Sequence, residues 1–207
     1  MRSFALAAAI LLTGAAPPAN AAGDGLLARM ATLNPTLRTF SATMRAEVVL
    51  KSFPFLDVHL VGTYYHKEPD QNKIAFTSGV PMVAQQFDKL YAHVEAPSRW
   101  IQTYAVSVVG DDGTTTTFRL VPRKHGNVDH IDARAGDRTA TVDYMRWNYG
   151  NGGFAEVHNR YGKVGGNVVV LSQTGHVEEP GYSADITSTI DNYSFNVAIP
   201  DSVFTPN

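Results

Sequence analysis

The histidines and carboxylates of this chain are the side chains best suited to bind a metal or to transfer protons. The sequence has seven histidines and no cysteine, which excludes a thiol nucleophile and a thiolate metal site. His130 and Asp132 lie two residues apart, and so do Glu156 and His158. Residues two apart on a strand share a face. Two adjacent strands in register would therefore bring four metal ligands together.

Strand alternation alone also produces such pairs. A sheet with one wet face carries polar residues at every second position, and we interpret both pairs as part of a solvated outer face. The acidic pairs at 111–112 and 178–179 lie beside glycine or proline, which favours exposed turns. The sequence has no motif of serine hydrolases, zinc proteases or nucleotide-binding proteins. We therefore predict a protein that is not an enzyme, with no catalytic residue, metal or cofactor.

The first 21 residues have the pattern of a secretory signal peptide. Arg2 precedes an apolar run over residues 4–12, and Ala19 and Ala21 form a small-residue cleavage site. The run is much shorter than the roughly 20 residues that a membrane-spanning helix needs. We predict cleavage near Ala21/Ala22 and a soluble, periplasmic or secreted protein. Residues 22–207 are then expected to form a single domain.

The remainder of the chain has the composition of an all-β protein. The full sequence has nine tyrosines, ten phenylalanines and 17 glycines, and the glycines after residue 21 recur at short intervals in turn-forming dipeptides. The net charge is −2, and no basic cluster is present. Nucleic acid is therefore not an expected partner, because its recognition requires a concentrated positive surface.

Residues 38–51 show the clearest pattern in the sequence, an alternation of apolar and polar side chains with a period of two. This pattern predicts a long strand with one dry face. The dry positions are Phe40, Ala42, Met44, Ala46, Val48 and Leu50. Two of these six residues are alanine, so this face leaves room for something to pack against it.

Turn signals divide the rest of the chain into hairpins. Strands are predicted at 58–66, 73–77, 100–109, 115–121, 128–134, 139–147, 154–160, 167–174 and 182–193. Helices are predicted at 24–33, with Asp24 as the N-cap, and at 80–93. The expected fold is mainly β, a strongly curved antiparallel half-barrel built as a meander. The N-terminal helix and a short lid helix would cover its concave side.

Two segments carry a resemblance to a known family. Arg38-Thr-Phe40-Ser-Ala-Thr-Met44 opens the long strand, and Gly62 lies seven residues before Pro69. Together with weaker matches at 118–122 and 193–204, they resemble the periplasmic outer-membrane lipoprotein carriers LolA and LolB. The resemblance implies a half-open barrel whose apolar cavity takes up acyl chains beneath a helical lid. The carrier's lid-latching arginine corresponds here to Glu68, so we expect a relative of the carrier.

The predicted site is an apolar cavity lined by aromatic, methionine and branched side chains. An alternative is that these side chains only fill the core. The predicted lining residues are Phe40, Met44, Val48, Leu60, Tyr64, Phe76, Met82, Phe87, Tyr91, Trp100 and Tyr104.

The expected ligand is a lipid or an acylated lipoprotein, with a membrane-associated donor or acceptor protein as a further candidate partner. The second hypothesis is a periplasmic sensory or scaffold domain that uses this same fold to bind a protein partner. A zinc-dependent hydrolase is the third.

Overall fold

The computed structural model describes residues 20–52, 55–77 and 96–205. Helix α1 spans Asn20–Ala31 and helix α2 spans Trp100–Thr103, with 3-10 turns at Pro97–Arg99 and Asp201–Phe204. The strands are β1 Thr39–Leu50, β2 Asp57–Lys67, β3 Gln71–Phe76, β4 Tyr104–Asp111, β5 Thr115–Pro122, β6 Val128–Gly136, β7 Val142–Tyr149, β8 Phe154–Val164, β9 Asn167–Glu179 and β10 Tyr182–Phe195. Within these residues, no helix has the length and apolar character needed to cross a membrane.

The ten strands form one antiparallel sheet in the order β3-β2-β1-β10-β9-β8-β7-β6-β5-β4. Every neighbouring pair except β1 and β10 is consecutive in the chain, which confirms the predicted mainly β meander. The prediction of a strongly curved half-barrel was wrong, because the sheet formed by the described strands is not strongly curled. The strands make one open sheet in which β3 and β4 are the outermost members.

The predicted long strand is confirmed as β1, and the N-terminal helix as α1, but two details were wrong. Asp24 lies inside α1 and does not cap it, because the helix already begins at Asn20. Trp100 was placed on a strand, whereas it begins α2 and β4 starts only at Tyr104. Pro97 begins a 3-10 turn in which the Trp100 N–H donates to the Pro97 carbonyl. This local hydrogen bond holds the backbone at Trp100 in a helical conformation, so that it does not continue as a strand. The predicted helix at 80–93 lies outside the described residues.

One face of the sheet is apolar across most of its width, and we call it the inner face. Apolar and polar side chains alternate along each strand, and the pairing register places apolar residues of neighbouring strands opposite one another. The apolar residues therefore form rows across the sheet. One such row reads Val58, Val48, Ile186, Gly175, Val157, Met145, Ala133, Phe118 and Val108.

The buried side chains of the inner face form two clusters. In the helix-covered cluster, α1 and α2 pack on β5, β6 and β7. It contains Leu26, Leu27, Met30, Trp100, Phe118, Leu120, Ile131, Ala133, Ala135, Ala140, Val142 and Met145. All members of the strand-only cluster come from strands. They are Ala42, Met44, Ala46, Val48, Leu50, Leu60, Ile74, Ala155, Val177, Ala184, Ile186 and Ile190. Among the described residues, helices thus contribute to only one of the two clusters.

The opposite, outer face carries a row of alternating charges. The paired residues of this row are Arg119, Asp132, Arg146, Glu156, His176 and Asp185, on six successive strands. Arg119 donates two hydrogen bonds to Asp132, at 2.8 and 3.0 Å. Arg146 donates to Glu156 at 3.0 Å. Opposite charges on adjacent strands stabilise the pairing of those strands.

Removing one cation from this row tests its contribution to stability. Hydrogen bonding by Arg119 holds the pKa of Asp132 below its ordinary value. The stabilisation is therefore present above the unfolded pKa of about 3.9 and is lost as pH falls through the lower folded pKa. Because Arg119 is partly exposed, Arg119→Met should lower the free energy of unfolding at neutral pH by only about 1 kcal/mol. Urea denaturation at a series of pH values measures both effects.

Arg160→Met is the matched control, because Arg160 lies on the outer face and donates to Ser172, a neutral residue. It should leave the acid dependence of stability unchanged. An equally steep loss of stability in acid for Arg119→Met and the wild type would contradict the role of the Arg119–Asp132 pair.

Candidate functional site

Six of the predicted lining residues lie together on the inner face of β1, β2 and β3. Met44, Val48 and Leu60 are buried members of the strand-only cluster. The half-buried Phe40, Tyr64 and Phe76 pack against that cluster. This part of the predicted site is therefore one continuous surface, with a buried centre and an accessible margin.

Aromatic rings form that margin at one end of β1. The Phe40 ring lies 5.3 Å from the Tyr64 ring, 5.0 Å from His66 and 5.4 Å from Tyr193, measured between centroids. We call these four residues the aromatic rim. The sequence prediction missed His66 and Tyr193. Phe40 pairs with His66 on β2 and with Phe195 on β10, and that register is not readable from any one strand.

A strip of neutral polar side chains crosses the inner face beside the rim. The Tyr161 hydroxyl donates to the Val142 carbonyl at 2.9 Å, and the Tyr193 hydroxyl donates to the Val170 carbonyl at 2.5 Å. Gln173 donates to the Asn159 side chain at 2.8 Å. Burial raises the pKa of both tyrosines, and each is raised further by the nearby Tyr64 phenol. The strip is thus uncharged at neutral pH.

Gly62, the glycine of the sequence motif, permits a close approach of β2 and β3. A Cβ atom at this position would come within 2.7 Å of the Ala75 carbonyl oxygen. Gly62 pairs with Met44, whose side chain lies on the inner face. The motif residue therefore serves the packing of the sheet next to the candidate site.

The other predicted residues lie elsewhere or outside the described residues. Trp100 is buried in the helix-covered cluster, with its ring centroid 6.2 Å from that of Phe118. Tyr104 lines a groove of about 190 Å³. The lining of this groove comprises Gly23, Asp24, Leu27, Ile101, Tyr104, Val106, Ser107, Val108, Phe118 and Arg123. Met82, Phe87 and Tyr91 lie outside the described residues.

The four-ligand metal site considered from the sequence is not formed. Strand β7 lies between β6 and β8, and Arg146 pairs with both Asp132 and Glu156. Among the described residues, Glu47, Asp57 and His59 do place ligand atoms within 4.8 Å of one another. All three are exposed on the outer face, and such surface groups are common without a metal.

Glu68 forms an ion pair at the position of the carrier's lid-latching arginine. Its carboxylate accepts a hydrogen bond from Arg38, the residue that precedes β1. The Arg38 backbone N–H in turn donates to the Asn196 side chain at 2.8 Å. Glu68 is thus held by the start of β1, and its carboxylate cannot donate to carbonyl groups as an arginine would.

Comparison with known proteins identifies the fold. No family model matches the sequence, and no curated protein matches it. A DUF1329 family protein from Desulfovibrio piger superposes with a TM-score of 0.65 at 13% identity, over 92% of this chain and 98% of its own. A LolA superfamily protein from Nitrosomonas europaea gives 0.65 at 8% identity, over 88% and 97%. A putative outer membrane lipoprotein-sorting protein domain from Vibrio parahaemolyticus gives 0.62 at 10%, also over 88% and 97%.

These superpositions define the class of protein by its fold. The chain has a LolA-like fold over about nine tenths of its length. The resemblance found in the sequence is thereby confirmed at the level of the fold. The identities of 8–13% mark the chain as a divergent example of it.

Truncating Trp100 tests whether it belongs to the core or to a ligand site. Because the side chain is buried beneath α1, Trp100→Ala should lower the free energy of unfolding by about 3–5 kcal/mol. Tyr104→Ala is the control at the half-buried neighbouring position, with a smaller expected loss. Denaturant titration followed by far-UV circular dichroism measures both. A Trp100→Ala protein with wild-type stability would show that Trp100 does not support the core.

Proposed function

We propose that this protein is a non-enzymatic carrier or binding protein for the acyl chains of lipids or acylated lipoproteins. The acyl chain would lie against the strand-only cluster and enter past the aromatic rim. The observation that carries the proposal is that, among the described residues, helices contribute to only one of the two clusters on the inner face. Both α1 and α2 pack on the helix-covered cluster, whereas the strand-only cluster contains only strand residues. An apolar sheet face needs a second layer, and a bound acyl chain can supply part of it.

The chemistry of this face suits such a ligand. Each CH₂ group removed from water contributes about 0.8 kcal/mol, so affinity requires no charged contact. We call the surface of the strand-only cluster the floor. The small side chains of Ala42 and Ala46 leave space above it, and the polar strip beside it is uncharged at neutral pH. We extend the proposal to the segment at 80–93 as a lid, in which Met82, Phe87 and Tyr91 would close over the ligand.

The cellular setting completes the proposal. Residues 1–21 would act as a signal peptide, and residues 22–207 would function as a single domain in the periplasm or outside the cell. A membrane-associated donor or acceptor protein would exchange the ligand. The LolA-like fold supports this setting, since one structure that shares it is described as a lipoprotein-sorting domain.

Mass spectrometry of an organic extract from natively purified protein tests the proposal directly. The expected result is a stoichiometric lipid or acyl species. Recovery of a stoichiometric protein partner without lipid would favour the sensory or scaffold alternative. A delipidated protein that takes up no fluorescent fatty acid in a saturable manner would refute acyl-chain binding.

A charge placed on the aromatic rim should abolish uptake. Phe40 is half-buried at the margin of the strand-only cluster, so Phe40→Lys adds a charge there while its head group can still reach water. We expect saturable uptake of a fluorescent fatty acid to fall at least tenfold. Val61→Lys is the matched control, because Val61 lies on neighbouring β2 but is exposed on the outer face. Equal uptake by both variants would place the ligand elsewhere.

Filling the floor distinguishes a ligand site from a closed core. If the space opposite Ala46 is taken by a ligand, Ala46→Phe should occupy that space, retain stability and lose uptake. If the space is already close-packed, the larger ring should cost about 1–3 kcal/mol. Thermal unfolding and probe uptake, measured on the same preparation, separate these outcomes. Destabilisation with unchanged uptake would contradict the proposed floor.

A further inference from the structure

The two edges of the sheet are protected very differently. On the β3 side, the 3-10 turn Asp201–Phe204 packs against the edge strand, and Lys67 forms an ion pair with Asp201. Lys73 adds a charge within β3 itself. On the other side, residues 104–109 of β4 contain neither a charged residue nor a proline. Exposed strand edges are usually blocked by charge, proline or a covering element, so β4 has the composition of a strand that pairs with another.

The backbone of β4 is arranged for such pairing. Pro122 lies opposite Tyr104 and has no N–H to donate, whereas the Arg123 N–H donates to the Thr103 carbonyl at 3.0 Å. Because hydrogen-bonded and non-hydrogen-bonded pairs alternate, the backbone groups of Val106 and Val108 point away from β5. Within the described ranges, β5 is the only strand that pairs with β4. These groups therefore form a short template at the edge.

The inner side of this edge is a groove lined by both apolar and polar side chains, with opposite charges at its two ends. Val106 and Val108 lie along its floor, and Arg123 lies at the Tyr104 end. At the Val108 end, α1 approaches so closely that a Cβ atom on Gly23 would come within 2.6 Å of the Val108 side chain. Asp24, the next residue, is exposed there.

Exposed apolar residues lie near both ends of β4; Ile101 is part of the groove lining, and Val109 and Val121 lie on the outer side. Val109 is 49% exposed near the end of the strand. Ile101, which is 59% exposed, and Val121, which is 43% exposed, lie near its start. Large apolar side chains at this exposure suggest a contact surface when they cluster.

We propose that β4 pairs with β4 of a second copy of this chain, antiparallel and centred on Val106. A two-fold axis places the start of one β4 opposite the end of the other. Arg123 of each copy then approaches Asp24 of its partner, and Val109 approaches the apolar pair Ile101 and Val121. The edge is thus complementary to itself in backbone, charge and apolar surface. We call the contact between the two β4 strands the seam. The two grooves join into one channel across it.

The size of this seam predicts a reversible dimer. Val106 and its neighbours would exchange about four backbone hydrogen bonds, and a bulge after Val108 ends the regular segment. The contact is shorter than a standard interface of about 800 Å² per partner. Association should therefore depend on concentration and weaken with salt, because the Arg123–Asp24 contacts are exposed.

A charge swap tests the pairing in the full-length protein. Sedimentation equilibrium of wild-type protein should show a monomer–dimer equilibrium. Arg123→Glu places a carboxylate opposite Asp24 at both ends of the seam, and Asp24→Lys places an ammonium group opposite Arg123. Each variant alone should lose at least tenfold in association constant. An equal mixture of the two variants should regain association, because each end of the mixed dimer pairs opposite charges.

Arg160→Glu is the control for a general effect of charge, because Arg160 is exposed on the outer face of β8; it should leave association unchanged. A wild-type protein that stays monomeric at every concentration overturns the proposal. Slow hydrogen exchange at the Val106 and Val108 amides in such a monomer would show that another segment of the same chain pairs with the edge of β4. A mixture that fails to restore association also overturns the proposed pairing.

Discussion

The structure depends on the pairing of β1 with β10, the third and fourth strands of the sheet, because this ladder joins the first and last strands of the chain. Every other strand pair is a hairpin between consecutive strands, so only this ladder requires distant parts of the chain to meet. Met44 lies opposite Ile190, and Val48 lies opposite Ile186. A slip of one residue would turn the apolar positions of β1 toward water. The register of this one ladder therefore decides whether the inner face is continuous.

The two faces of the sheet solve different physical problems. On the outer face, alternating charges link successive strands, and Arg146 lies between Asp132 and Glu156. Such pairs contribute little individually when exposed, but they favour correct pairing in a wide sheet. On the inner face, pairing brings apolar side chains together, and the polar side chains that remain form hydrogen bonds with one another or with backbone carbonyl groups. Tyr161 and Tyr193 illustrate this, since both donate to backbone carbonyl groups of other strands.

The sequence predicted local features better than nonlocal ones. The period of two over residues 38–51 identified β1 and its inner face, because that pattern depends on neighbouring residues alone. It could not show that Tyr193 would lie against Phe40, because this contact depends on the β1–β10 register. The helical turn at Trp100 was missed because its flanking residues also suit a strand. The division of the inner face into two clusters depends on where α1 packs, which no single segment encodes.

The small residues of the inner face mark two places where a second layer can approach the sheet closely. In the helix-covered cluster, Ala133 and Ala135 are fully buried in the same cluster as Leu26 of α1. Small side chains on a sheet allow a thick element such as a helix to approach closely. Ala42 and Ala46 create the same low floor in the strand-only cluster, where the described residues contribute no helix. A low apolar floor left in water is unfavourable. Under the proposed function, an acyl chain would take the place against Ala42 and Ala46 that α1 takes against Ala133 and Ala135.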